Sequence, residues 1–130
     1  MDTSVWIAFF RQREPCHRLV AGLIDEERVC CTGIILAELI QGAKSDKELS
    51  VLDSFLQVFE FLPESPRLWA QAGRLSGRLR QQGMAIGLAD CFIATAALAA
   101  NLPVATLDGH FRILHQTAGV ELLPLEPAAE

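Results

Sequence analysis

The sequence lacks any apolar run that approaches the roughly 20 residues needed to span a bilayer. It has no basic segment followed by an apolar one near its start, so no signal peptide is expected. It also lacks a CxxC pair, and Cys30 and Cys31 lie in an apolar run, which favours reduced, buried thiols over a metal or redox site. These absences predict a cytoplasmic protein with no membrane contact.

Positive charge is also scarce, since the formal net charge is −5 and the isoelectric point is about 5.1. This balance excludes binding of nucleic acid through a generally basic surface, so any such binding would depend on local clusters of cations. The 130 residues, of which 51% are hydrophobic, predict a single domain over residues 1–130, with residues 124–130 as a loose tail.

Short β-rich runs alternate with longer helical ones along the chain. The pattern predicts an α/β fold, an α/β/α sandwich of three layers on a mostly parallel central sheet. Thr3 or Ser4 is expected to cap the first helix, which should end near residue 11. The other predicted helices span residues 15–24, 33–40, 46–56, 66–82, 88–100 and 109–115, and the predicted strands span residues 28–31, 58–62, 103–106 and 120–123.

The helix predicted over residues 66–82 has two distinct faces. Its apolar positions fall within about 60° of one another at 100° per residue and form the core stripe; they are Leu68, Ala72, Leu75 and Leu79. About 100° away, Arg67, Arg74 and Arg78 line up within about 40°. This basic ridge is either a solvated helix face or a contact surface for phosphates.

Four carboxylates stand in apolar surroundings with no local cationic partner: Asp2, Glu38, Asp90 and Asp108. An ionised carboxylate in such a place is costly unless it is paired or binds a metal. Each has a plain structural alternative, because Asp2 and Asp108 could cap helices, Asp90 could interact with a helix dipole, and Glu38 could point outward. Together, however, all four can converge on the carboxyl edge of the predicted sheet, where sites assemble.

A cluster of carboxylate oxygens selects hard cations, so Mg²⁺ or Mn²⁺ is the expected metal. Thr3, Ser4 and Thr106 are suited to hydrogen bonds that orient the carboxylates. His110 and His115 lie close to Asp108 in sequence, which leaves a softer ligand possible, although a lone histidine beside a helix start is more often structural.

Three segments carry a resemblance to a known family: DTSVWI near the start, ILAELIQG, and GLADCFIATAALAANLPVATLDGHF in the last third. In this order they resemble the PIN domain of the VapC type, the toxin half of a bacterial toxin–antitoxin pair. The resemblance implies an endoribonuclease dependent on Mg²⁺ or Mn²⁺ that hydrolyses RNA, such as tRNA or other structured RNA, by metal-activated water. It assigns the catalytic and metal-binding roles to Asp2, Glu38, Asp90 and Asp108.

The resemblance also implies partners. A VapB-type antitoxin is expected to wrap the protein, a homodimer is expected, and DNA would be contacted only through the antitoxin. The candidates for contact with RNA phosphates are Arg112, Arg67, Arg74, Arg78 and Lys44.

The chain departs from the family pattern at two places. His110 stands where some relatives carry an acid or an asparagine. Only Met1 precedes Asp2, where relatives have a central strand, so we expect that the true start lies upstream or that the chain was shortened.

Two other functions are weighed. A catalytically silent PIN-like module could act through an antitoxin-like partner in a DNA-bound repressor complex. A phosphatase with Asp2 as nucleophile would need a second aspartate two residues later, where this chain has Ser4.

Overall fold

A computed structural model describes residues 1–123 and residue 125. The chain divides into two compact units, Met1–Leu62, with which Leu125 is grouped, and Pro63–Leu123. The predicted loose tail lies outside the described residues except for Leu125, which is buried. None of the described helices is long and apolar enough to cross a membrane.

The first unit packs its helices around a cluster of aromatic rings. Its elements are α1 (Thr3–Phe10), α2 (Cys16–Asp25), β1 (Cys30–Cys31), α3 (Gly33–Gln41), α4 (Asp46–Asp53), α5 (Phe55–Val58) and β2 (Glu60–Phe61). Helix α1 packs against both α2 and α3. Trp6 of α1 is buried, and its ring centroid lies 4.8 Å from that of Phe55 and 5.4 Å from that of Phe59. These rings pack together in the core of the unit.

The second unit is built on α7, a helix whose residues 91–97 are all buried. Its elements are α6 (Pro66–Gln81), α7 (Leu88–Ala100), β3 (Val104–Ala105), α8 (His110–Ala118) and β4 (Leu122–Leu123). Helix α7 packs against α6, α8 and β3. Trp69 stacks on Phe92 with 3.7 Å between ring centroids. Of the predicted apolar stripe of α6, Ala72, Leu75 and Leu79 are buried and Leu68 is half-buried.

All strand pairing among the described residues is parallel, as predicted. Strand β1 pairs with β2 in the first unit, and β3 pairs with β4 in the second. The strands of the described residues therefore form two parallel pairs of two residues each, one pair in each unit. Helix α1 begins at Thr3, and among the described residues no strand enters Asp2.

Helices α1, α3 and α8 show how their ends are formed. Asp2 caps α1 in place of Thr3 or Ser4, because its side chain accepts the backbone N–H of Val5. Thr32 stands at the N-cap of α3 but makes no capping bond with its side chain. Helix α8 continues past the predicted end to Ala118 and stops at Gly119, whose φ of 80° is left-handed.

The helix predicted over residues 46–56 is broken in two. Helix α4 ends at Asp53 and α5 begins at Phe55. The hydroxyl of Ser54 donates to the backbone carbonyl of Val51, and such a local bond competes with the regular helical ladder. A serine within an otherwise helical pattern therefore marks this break.

The free cysteines are mostly buried, as expected of small apolar side chains. Burial raises the pKa of Cys31 to about 11 and also raises the pKa of Cys91 above its usual value. A thiol with a raised pKa holds little thiolate near neutral pH and is a poor nucleophile.

Substitution by alanine at Leu79 and at Leu98 tests the observed burial of these two side chains. Leu79 is 2% exposed and Leu98 is 43% exposed. Leu79→Ala should lower the free energy of unfolding by about 2–5 kcal/mol, because it leaves a cavity in the core. Leu98→Ala should change it by no more than about 0.5 kcal/mol. Urea denaturation followed by circular dichroism measures both, and equal losses would contradict the packing of α6.

Cys31 should resist alkylation in the folded chain. With its pKa near 11, against 9.0 for an unperturbed thiol, its thiolate fraction at pH 8 is reduced roughly 100-fold, and burial blocks access further. Iodoacetamide labelling at pH 8, quantified per residue by mass spectrometry, should show slow reaction in buffer and fast reaction in denaturant. Equally fast labelling in both conditions would be inconsistent with the burial of Cys31 in β1.

Candidate functional site

Asp2 is only 3% exposed, and the first turn of α1 holds its carboxylate. Its Oδ1 accepts the hydroxyl of Ser4 at 2.6 Å and the backbone N–H of Val5 at 3.3 Å. Asp2 therefore caps α1, which was its structural alternative. A metal role is compatible with this, because a carboxylate offers about four lone-pair sites.

Glu38 is half-buried on α3 and is held by the residue next to Asp2. The hydroxyl of Thr3 donates to its Oε1 at 2.9 Å. Within residues 1–123, Oε2 of Glu38 accepts no hydrogen bond and remains available to a ligand. Adjacent residues at the start of α1, Thr3 and Ser4, thus orient one predicted metal ligand each.

Beside Glu38 lies a cavity of about 410 Å³ formed by α1, α3 and α4. Thr3 and Glu38 form part of its wall. Its cations are Arg11, Lys44 and Lys47, and its partly exposed apolar side chains include Ile7, Phe10 and Val51. No ion pair within the described part of the chain involves these three cations. Sequence reasoning named Lys44 but missed Arg11 and Lys47, which are far apart in the sequence.

Asp90 and Asp108 lie together in the second unit. Asp90 stands in the first turn of α7, and Asp108 precedes α8 by two residues. Oδ1 of Asp108 accepts the backbone N–H of His110 at 2.9 Å, and the backbone N–H of Asp108 donates to Oγ1 of Thr106 at 2.9 Å. Thr106 thus holds the backbone at Asp108 through this bond.

His110 completes a cluster that the sequence analysis left open. Its Nδ1 lies 3.8 Å from Oδ2 of Asp90 and 3.6 Å from Oδ1 of Asp108. Possible ligand atoms of the three residues all lie within 4.8 Å of one another. The feature of the sequence that could have indicated His110 is its position two residues after Asp108, at the start of a helix. His115, in contrast, has a structural contact, with its Nδ1 2.7 Å from the carbonyl oxygen of Val120.

The predicted acids thus fall into two groups, each in its own unit. Asp2 and Glu38 are oriented by α1, whereas Asp90 and Asp108 form a cluster with His110. The candidates for phosphate contact are all exposed; they are Arg67, Arg74 and Arg78 on α6, Arg112 on α8, and Lys44 between α3 and α4.

Sequence comparison relates the chain to a family and to known proteins. The PIN domain family matches residues 1–115. The chain is 30% identical to Ribonuclease VapC1 of Methanocaldococcus jannaschii, over 89% of its own length and 80% of that protein. It is 28% identical to the tRNA(fMet)-specific endonuclease VapC of Salmonella typhimurium, over 82% of its length and 83% of that protein.

A solved structure supports the same relationship. The crystal structure of VapBC2 from Rickettsia felis, bound to a DNA fragment from its promoter, is similar to this chain with a TM-score of 0.73 and 26% identity over 94% of each chain. This likeness, together with the helix–strand alternation and the parallel pairing, confirms the predicted α/β fold class. The chain belongs to the PIN domain family and, within it, is of the VapC type.

Proposed function

We propose that the protein is a metal-dependent endoribonuclease that acts as the toxin of a VapBC-type pair. The observation that carries this proposal is the cluster of Asp90, Asp108 and His110, whose donor atoms lie within 4.8 Å of one another in a PIN domain chain. The relative from M. jannaschii is named a ribonuclease, which supports RNA as the substrate. The name of the Salmonella relative supports tRNA as its class.

The cluster fits a divalent ion held largely by oxygen. Two ligands at about 2.1 Å from an ion lie about 3.0 Å apart at right angles and about 4.2 Å apart when opposite. The distances of 3.6 and 3.8 Å from His110 Nδ1 to the two carboxylates exceed the right-angle value by about 0.6–0.8 Å, a gap that side-chain rotation would close when an ion binds. Mg²⁺ or Mn²⁺ in such a site would lower the pKa of water and neutralise charge on the phosphate under attack.

Each residue of the proposed site has a defined task. Asp90 and Asp108 would supply carboxylate oxygens to a metal in the second unit, and the motifs assign the same role to Asp2 and Glu38 in the first. Ser4 orients Asp2 and Thr3 orients Glu38 through their hydroxyl groups. Thr106 fixes the backbone at Asp108. Loss of any of these three hydroxyls should loosen a carboxylate without removing a ligand.

The RNA phosphates would meet cations that are already exposed. Lys44 lines the cavity that contains Glu38, so a phosphate bound there would lie near a proposed metal ligand. Arg112 follows His110 by two residues on α8, and Arg67, Arg74 and Arg78 offer a further stripe on α6. Three cations on one helix face suit a phosphate backbone.

The partner we propose is a VapB-type antitoxin, and the protein would contact DNA only through it. The similar structure from R. felis is a VapBC2 complex on a promoter fragment, which supports this assignment. A homodimer is part of the same proposal. A silent binding module would share these partners but would have no use for the metal cluster.

Removal of one carboxylate tests the catalytic assignment. Asp90→Asn should lower the rate of RNA cleavage by about 100-fold or more, since even an outer-shell change at a metal site costs about 10–100-fold. Asp53→Asn, at an exposed acid that ends α4, should cleave at the parental rate. EDTA should abolish cleavage and Mn²⁺ should restore it, as followed with a fluorescent RNA oligonucleotide. Equal rates for the parent and Asp90→Asn would sink the proposal.

Loss of one cavity cation tests the RNA contact. Lys44→Gln should weaken RNA binding in EDTA, and the salt dependence of log K should become shallower by about 0.7 for one lost contact with a single strand. Arg18→Gln removes a cation whose side chain is 83% exposed on α2 and should leave the slope unchanged. Fluorescence anisotropy at several salt concentrations measures both variants. If both give the parental slope, Lys44 does not contact phosphate.

A further inference from the structure

His110 distinguishes this cluster from a site built of oxygen alone. The two carboxylates beside it, Asp90 and Asp108, are partly buried, whereas the imidazole is 54% exposed. Its Nδ1 faces both carboxylates at once, at 3.8 and 3.6 Å. An ion arriving from solvent can therefore reach the nitrogen and the carboxylate oxygens together.

The backbone around His110 is fixed by a short chain of hydrogen bonds. Thr106 accepts from the N–H of Asp108, and Asp108 accepts from the N–H of His110. Rotation of the histidine and aspartate side chains would close the gap of about 0.6–0.8 Å between the observed 3.6 and 3.8 Å and the separation of adjacent ligands, about 3.0 Å. These bonds hold the backbone of His110 in place, so little backbone ordering is needed when an ion binds.

A nitrogen donor changes which ions a site prefers. Mg²⁺ binds carboxylates, water and phosphate oxygens in near-ideal octahedral geometry. Imidazole suits first-row transition metals, whose affinity for a given site rises along the series after Mn²⁺. A site with one histidine and several carboxylates therefore favours Mn²⁺ and later ions more than an all-oxygen site does.

We propose that His110 is a metal ligand and that it sets a preference of this chain for Mn²⁺ over Mg²⁺. The inference rests on the proposed metal site, but it concerns binding of the ion and not the cleavage of RNA. The opposing possibility is that His110 acts as a positive partner of Asp90 and Asp108 and competes with the ion. The two possibilities differ in sign, because removal of a competitor would raise metal affinity.

The experiment compares three chains with Mn²⁺ and Mg²⁺ alone, without RNA. Mn²⁺ affinity is read from the loss of the free-ion electron paramagnetic resonance signal, and Mg²⁺ affinity from competition. His110→Asn should lower Mn²⁺ affinity by at least about tenfold and change Mg²⁺ affinity little, because its amide offers an oxygen. His115→Asn is the matched control on the same helix, since its amide can still donate to Val120.

A spectroscopic signature separates direct ligation from an indirect effect. Pulsed resonance of bound Mn²⁺ should show ¹⁴N modulation in the parent and in His115→Asn, and none in His110→Asn. The chain has only three histidines, so the nitrogen can be assigned. Unchanged selectivity, a rise in affinity, or ¹⁴N modulation that survives in His110→Asn would overturn the inference. Selective Mn²⁺ binding without RNA cleavage would overturn the proposed function and leave this inference standing.

Discussion

An ionised carboxylate that leaves water has to receive hydrogen bonds or charge in return, and in this chain the N-termini of helices supply them. Asp2 accepts from the first turn of α1, Asp108 accepts the first N–H of α8, and Asp90 lies in the first turn of α7. In each case the positive end of the helix dipole faces a negative charge. A structural cap and a metal ligand are therefore not competing explanations, because the same bonds that stabilise the helix hold the carboxylate in place.

The long helices could be predicted because their signals are local and repeated. Helix α7 has the predicted bounds, and α6 begins at Pro66 after the side chain of Ser65 caps it. The break after Asp53 coincides with the hydrogen bond of one serine hydroxyl to the backbone. A single local bond of this kind does not change the hydrophobic periodicity, so the break was not predicted. The lengths of the strands were overestimated. A β-rich run shows only local propensity, whereas the length of a strand depends on how many residues of a partner strand pair with it. Those partners are about 30 residues away for β1 and 18 for β3.

The candidate acids could be named from the sequence because an isolated charge in an apolar run is conspicuous. The supporting contacts were harder to foresee in detail. The bond from Thr3 to Glu38 joins residues 35 positions apart, and the cavity brings Arg11 to the same surface as Lys44 and Lys47. His110 was left open because its type and position suit a structural role equally well, and its proximity to Asp90 and Asp108 became visible only in the fold.

The acidic balance of the chain shapes how it could recognise RNA. A net charge of −5 gives no long-range attraction for a polyanion, so encounter is not accelerated by steering. Three of the eleven lysines and arginines nevertheless line the cavity beside Glu38, and three more share a face of α6. Such clusters act only within about a Debye length, roughly 8 Å at physiological salt. Under the proposed function, binding would then require an RNA whose shape brings its phosphates to these clusters, and the charge of the whole protein would disfavour RNA that fits poorly.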